Sequence, residues 1–140
     1  MATTTNRYLS YPAAAAGITK ASSAGAAWSF STYIEVVPVS TITSAFNIAG
    51  FTWMTQTPIT AVDVTYEYLF ELATGAAAAE VLAIQIPTMV RWDTLVGAAP
   101  SNFVIFPEPK AIAANTRISL RFAQSLATTV HTMTLSLIHI

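Results

Sequence analysis

Ile59-Thr60-Ala61-Val62-Asp63-Val64-Thr65-Tyr66-Glu67-Tyr68-Leu69-Phe70-Glu71-Leu72-Ala73 is the stretch whose reading decides the fold class. Val62, Val64, Tyr66, Tyr68, Phe70 and Leu72 alternate with Ala61, Asp63, Thr65, Glu67, Leu69 and Glu71. A helix would also gather Asp63, Glu67 and Glu71 on one face, because they are spaced by four. It would scatter their apolar neighbours all round, whereas a period of two sorts every one of them. The β-branched and aromatic content agrees, and the segment is read as a strand.

The same period continues on both sides. Downstream, Thr74-Gly75-Ala76 supplies a turn and Glu80 to Pro87 the returning antiparallel strand. Residues 88–101 read as irregular, and Asn102 to Phe106 as a short apolar strand stopped by Pro107 and Pro109. Arg117 to Gln124 points Ile118, Leu120 and Phe122 inward and Arg117, Ser119 and Arg121 outward. Val130 to Ile140 forms the last strand, with Met133, Leu135 and Leu137 on one face. Upstream, Trp28, Phe30, Ile34 and Val36 share a face opposite Ser29, Ser31, Tyr33 and Glu35, so Trp28 is expected in the core. Phe46 to Trp53 follows as a strand with Gly50 at a bulge or bend, before the turn at Thr57-Pro58. Seven or eight strands without a convincing helix predict an all-β chain, an antiparallel β-sandwich of jelly-roll or related type, over residues 28–140.

Residues 1–27 are rich in Ala, Ser, Thr and Gly and show no period. They read as an extended N-terminal arm, because Pro12 and Gly17 leave the Ala13 to Ala16 run barely one helical turn. Arg7, Tyr8 and Tyr11 are large anchors within it. Two uses are open to them: packing back on the same domain, or gripping a neighbouring subunit, since Arg and aromatic side chains are enriched at interfaces.

Composition narrows the function. The chain has 140 residues, enough for one ordinary domain; 54% are hydrophobic and 9% charged, with a net charge of −1. A typical charged share is about 25%. Its 25 Ala and 20 Thr stand where a small monomer would place charge, and permanent burial in an assembly would account for that. Six basic against seven acidic residues argue against nucleic acid as a partner. No apolar run reaches membrane-spanning length, so no membrane partner is expected, and Met1-Ala2-Thr3-Thr4-Thr5-Asn6-Arg7 has no signal-peptide pattern. With no cysteine, thiolate chemistry and disulfides are excluded.

Catalytic and metal sites are not expected. Successive members of the Asp63, Glu67, Glu71 stripe lie roughly 13 Å apart on a strand, too far for an acid–base pair or a shared metal. The stripe reads as a solvated or interfacial face within reach of Arg117 or Arg121 on another strand. His131 and His139 are separated by roughly 26 Å of extended chain. No nucleophile elbow, zinc-protease or phosphate-loop motif occurs. No cofactor is implied. Trp53, in Phe51-Thr52-Trp53-Met54, and Trp92, in an irregular stretch, are interface candidates, with capping of the sandwich core as the alternative.

Several segments carry a family resemblance. Ala26-Ala27-Trp28-Ser29 followed by Tyr33-Ile34-Glu35-Val36-Val37-Pro38, and then Phe46-Asn47-Ile48-Ala49-Gly50-Phe51, resemble the opening strands of a group of small tailed-bacteriophage virion structural proteins. Tyr68-Leu69-Phe70-Glu71-Leu72-Ala73-Thr74-Gly75-Ala76-Ala77 is similar to their Glu-Leu/Ile-Gly-Thr-Gly-Ala-Ala hairpin, with Ala73 in place of the first glycine. Phe106-Pro107-Glu108-Pro109 and then Asn115-Thr116-Arg117-Ile118 look like their Pro-rich run before Ala-Gly-Thr-Arg-Ile, Asn115 standing at a turn that needs φ > 0. The resemblance covers about residues 26–140. It implies a capsid decoration, or cement, protein on the virion exterior, a homotrimer bound to the major capsid protein, with no catalytic residues. A tail, baseplate or receptor-binding fibre component is the alternative, with Trp53 or Trp92 stacking on saccharide. A glycan hydrolase is the third class, and the sequence shows no carboxylate pair for it.

Overall fold

Alternating apolar side chains build two antiparallel sheets that bury their inner faces against each other. The computed structural model describes residues 9–11, 18–21, 26–55, 65–91, 101–125 and 132–139. Among them there is no helix, and the strands are β1 (Leu9–Tyr11), β2 (Ile18–Ala21), β3 (Ile34–Val37), β4 (Phe46–Thr55), β5 (Thr65–Thr74), β6 (Val81–Arg91), β7 (Ser101–Ile112), β8 (Ile118–Gln124) and β9 (Thr132–His139). One sheet has the order β1-β9-β4-β7, with β2 also on β9; the other has the order β3-β8-β5-β6. Apart from the β5–β6 hairpin, successive strands from β2 to β9 change sheets, which is jelly-roll-like connectivity.

Leu9–Tyr11 pairs with His139–Leu137 and Ile18–Ala21 with Leu135–Thr132, so β1 and β2 both pair along β9. The arm read from sequence as extended therefore supplies part of a sheet. Arg7, Tyr8, Trp92 and residues 59–64 with Asp63 lie outside the described residues, as does His131.

The core is aromatic. Phe51 and Trp53 on β4 meet Tyr68 and Phe70 on β5, with Phe51–Phe70 centroids 4.9 Å and Trp53–Tyr68 centroids 5.4 Å apart. Phe122 on β8 closes the layer 5.6 Å from Phe70. The mixture of tilted and edge-on ring pairs suits the aromatic quadrupole.

Bulges change which residues face inward. On β4, Phe46 and Ile48 are buried, the register shifts between Ile48 and Gly50, and Phe51 and Trp53 are then buried. One inserted residue has switched the parity. A Cβ on Gly50 would run into the carbonyl oxygen of Val104, so only glycine fits there. A shift between Glu35 and Val37 likewise lets both Val36 and Val37 face the core.

Several expectations are corrected. Trp28 is not a core residue: it is 47% exposed, at φ +61°, in a turn closed by Ser29 N–H donating to Ala26 O at 3.1 Å. The strand expected from Trp28 begins at Ile34. Pro107 and Pro109 do not stop β7. Opposite β4 the register jumps from Ile105 to Lys110, so both prolines sit in a wide bulge on an edge strand, where a missing N–H costs no ladder bond. Residues 88–91, read as irregular, continue β6, whose own Pro87 is tolerated because β6 is also an edge. The turn at Gly75 (φ +110°) and the left-handed Asn115 (φ +59°) occur where expected.

Candidate functional site

Two surfaces stand out: the outer face of the β3-β8-β5-β6 sheet, and the side of the sandwich bounded by β6 and β7.

On the sheet face, Glu71 and Arg121 are directly opposed across the β5–β8 ladder. Arg121 Nε donates to Glu71 Oε2 at 2.7 Å, Tyr33 Oη donates to the same oxygen at 3.2 Å, and Gln85 Nε2 donates to Oε1 at 2.8 Å. The Arg121 guanidinium carbon lies 4.5 Å from the Phe30 ring centroid and 4.4 Å from that of Tyr33. These rings come from the segment before β3, which continues along β8 through Ser31 N–H to Phe122 O at 3.0 Å and Trp28 N–H to Gln124 O at 2.8 Å. Burial raises the Tyr33 phenol; the Arg121 charge opposes that rise and the Glu71 carboxylate adds to it.

Arg117 forms a second cluster at the other end of the face. It bonds Glu35 at 2.7 Å, Glu80 at 3.1 Å and the Gly75 carbonyl oxygen at 3.2 Å, tying β3 and the β5–β6 turn to the start of β8. Desolvation pushes the Glu80 carboxyl up, but hydrogen bonds from its own amide and from Arg117 outweigh it and leave Glu80 below the ordinary carboxylate range.

Beyond the Glu71 cluster, Trp28, Glu67, Tyr68, Leu69, Pro87, Thr88 and Met89 line a cup of about 540 Å³. A bulky residue at φ +61° is a backbone outlier, at a cost on the order of 1–3 kcal/mol.

Val81, Leu82 and Met89 on β6 and Phe103 and Ile105 on β7 are all at least half exposed. Ile84 and Ile86 face Val104 and Phe106 across a groove of about 560 Å³.

The sequence-derived candidates distribute unevenly over these surfaces. Trp53 is no interface residue: it lies 1% exposed on the inner face of β4, between Tyr68 and Phe70. Tyr11 is placed by its backbone pairing with Leu137. Of the acidic stripe, Glu71 meets Arg121 as anticipated but is buried, while Glu67 is exposed. Arg117 pairs with Glu35 and Glu80, which sequence reasoning did not single out; their distance along the chain hides the pairing. Among the described residues no group of three or more His, Cys, Asp or Glu could hold a metal, and no helix is long and apolar enough to cross a membrane. No protein-family model and no curated protein sequence matches the chain.

Proposed function

We propose that the chain is a virion structural protein, a capsid decoration protein that binds and stabilises the shell of a tailed bacteriophage from outside. It would act through contact with the major capsid protein and with copies of itself, as a trimer, and without catalysis. The observation that carries this reading is the set of large apolar side chains left exposed on strands of both sheets: Val81, Leu82 and Met89 on β6 and Phe103 and Ile105 on β7. The motifs resembling phage virion proteins and the 9% charged content support the same reading. Glu35, Glu71 and Glu80 are each held by an arginine, in keeping with a structural use of the acids.

Densitometry of purified virions tests the proposal. Hundreds of copies per particle are the expected result. A handful would place the chain in the tail or a fibre, and absence from the particle would overturn the virion role.

A further inference from the structure

The Glu71 cluster has an unfilled counterpart four residues earlier on the same strand. In the filled one, an acid of β5 (Glu71), rings of the segment before β3 (Phe30 and Tyr33) and a cation of β8 (Arg121) come together. In the cup, Glu67 of β5 and Trp28 of the same segment come together again. Arg121 lies opposite Glu71 and Ala123 opposite Leu69; beside Glu67 the chain has reached Ser125, whose N–H donates to the Glu67 carbonyl oxygen at 2.9 Å. Ser125 Oγ accepts from the Glu67 amide at 3.1 Å and brings no charge. Among the described side chains no cation pairs with the Glu67 carboxylate, whereas Glu35, Glu71 and Glu80 each have one.

We propose that this cup receives an arginine side chain presented by a partner protein. Its chemistry selects that occupant. Among the described residues Glu67 is the only charged group lining it, amid Trp28, Leu69, Pro87 and Met89. A purely apolar partner would strip water from the carboxylate without replacing it. A sugar would leave most of its hydroxyls unmatched against so apolar a wall. An arginine can lay its guanidinium on an indole face, bond the carboxylate with two N–H groups, and rest its methylene stem against Met89 and Pro87. Trp28 is 47% and Met89 66% exposed, so both are accessible. The inference does not depend on the virion role, because it concerns the chemistry of the contact and not the identity of the partner.

The test uses the full chain, labelled with ¹⁵N, and Nα-acetyl-arginine amide as the probe, with the uncharged isostere Nα-acetyl-citrulline amide as control. The indole N–H signal of Trp28 is assigned through Trp28→Phe. A saturable shift of that signal by the arginine probe, with half-saturation in the millimolar range, and none by citrulline, is expected. Glu67→Gln should weaken binding by at least about tenfold. Ser125→Arg supplies the missing cation from within and should abolish the response, each variant otherwise retaining the wild-type spectrum. Equal responses to arginine and citrulline, or an arginine response unchanged in Glu67→Gln, would overturn the proposal. A larger shift with methyl glucoside would overturn it in favour of a saccharide site.

Discussion

Glu71 and Arg121 face each other across the β5–β8 ladder at 2.7 Å, with the Glu71 side chain only 6% and the Arg121 side chain 32% exposed. The pair sits on the outer face of its sheet, yet the rings of Phe30 and Tyr33 flank the guanidinium. An outward strand position has thereby become an interior one.

Two acids of the same stripe should therefore respond differently to neutralisation. Glu71→Gln leaves Arg121 without its counter-ion and weakens the acceptor for Tyr33 and Gln85, at about 2–4 kcal/mol. Glu67→Gln, on the exposed side chain, should stay within about 0.5 kcal/mol. Urea unfolding of the two variants checks this, and equal losses would contradict it.

Stability should fall at both ends of the pH scale. Glu80, held below the ordinary carboxylate value, contributes stability that is present above the unfolded value of about 4.3 and lost as pH falls through the folded one. In Glu80→Gln the acid limb of the unfolding midpoint should be flatter. Tyr33, Tyr66 and Tyr68 are all raised, burial being the main cause, so their contribution is full below pH about 10 and disappears as pH rises through the folded values. Phenolate absorbance should appear late and together with unfolding.

At the β4 bulge, Gly50→Ala should cost more than about 3 kcal/mol, because the added methyl meets the Val104 backbone and not a side chain that could turn away. Thermal melts of this variant and of Gly75→Ala, where φ is +110° and the Cβ would approach Ala79 O to 2.8 Å, should both show a loss.

Deleting residues 1–16 removes β1 and leaves the Leu137–His139 stretch of β9 without that neighbour. A loss of about 1–3 kcal/mol, with faster aggregation through the opened edge, is the expected outcome. Melting and light scattering over time measure both. Unchanged behaviour would show that β1 adds nothing to the sheet.

On the outward face of β7, Phe103→Lys and Ile105→Lys should leave the melting temperature within a few degrees, since both side chains are exposed. If that face of β7 is the self-association surface, multi-angle light scattering should show the variants shifting to a smaller species. An unchanged mass would exclude it.

The alternation in Tyr66-Glu67-Tyr68-Leu69-Phe70-Glu71-Leu72 determined by itself that this segment is a strand with Tyr66, Tyr68, Phe70 and Leu72 inward, because a period of two admits one burial pattern. The turns at Gly75 and Asn115 were equally local, since each needs a positive φ that few residues accept. What lay beyond the sequence depended on neighbours. Trp53 and Trp28 exchanged their expected places: the Gly50 bulge accompanies an inward Trp53, and the turn at Ala26–Ser29 ends the alternation that would have buried Trp28. Pro87, Pro107 and Pro109 could sit within strands only because β6 and β7 are edges, a property of sheet order. Arg117 found Glu35 and Glu80, and Arg121 found Glu71, because the β3-β8-β5-β6 order and its register set which charges meet, and no local pattern encodes pairings between residues 37 to 82 positions apart.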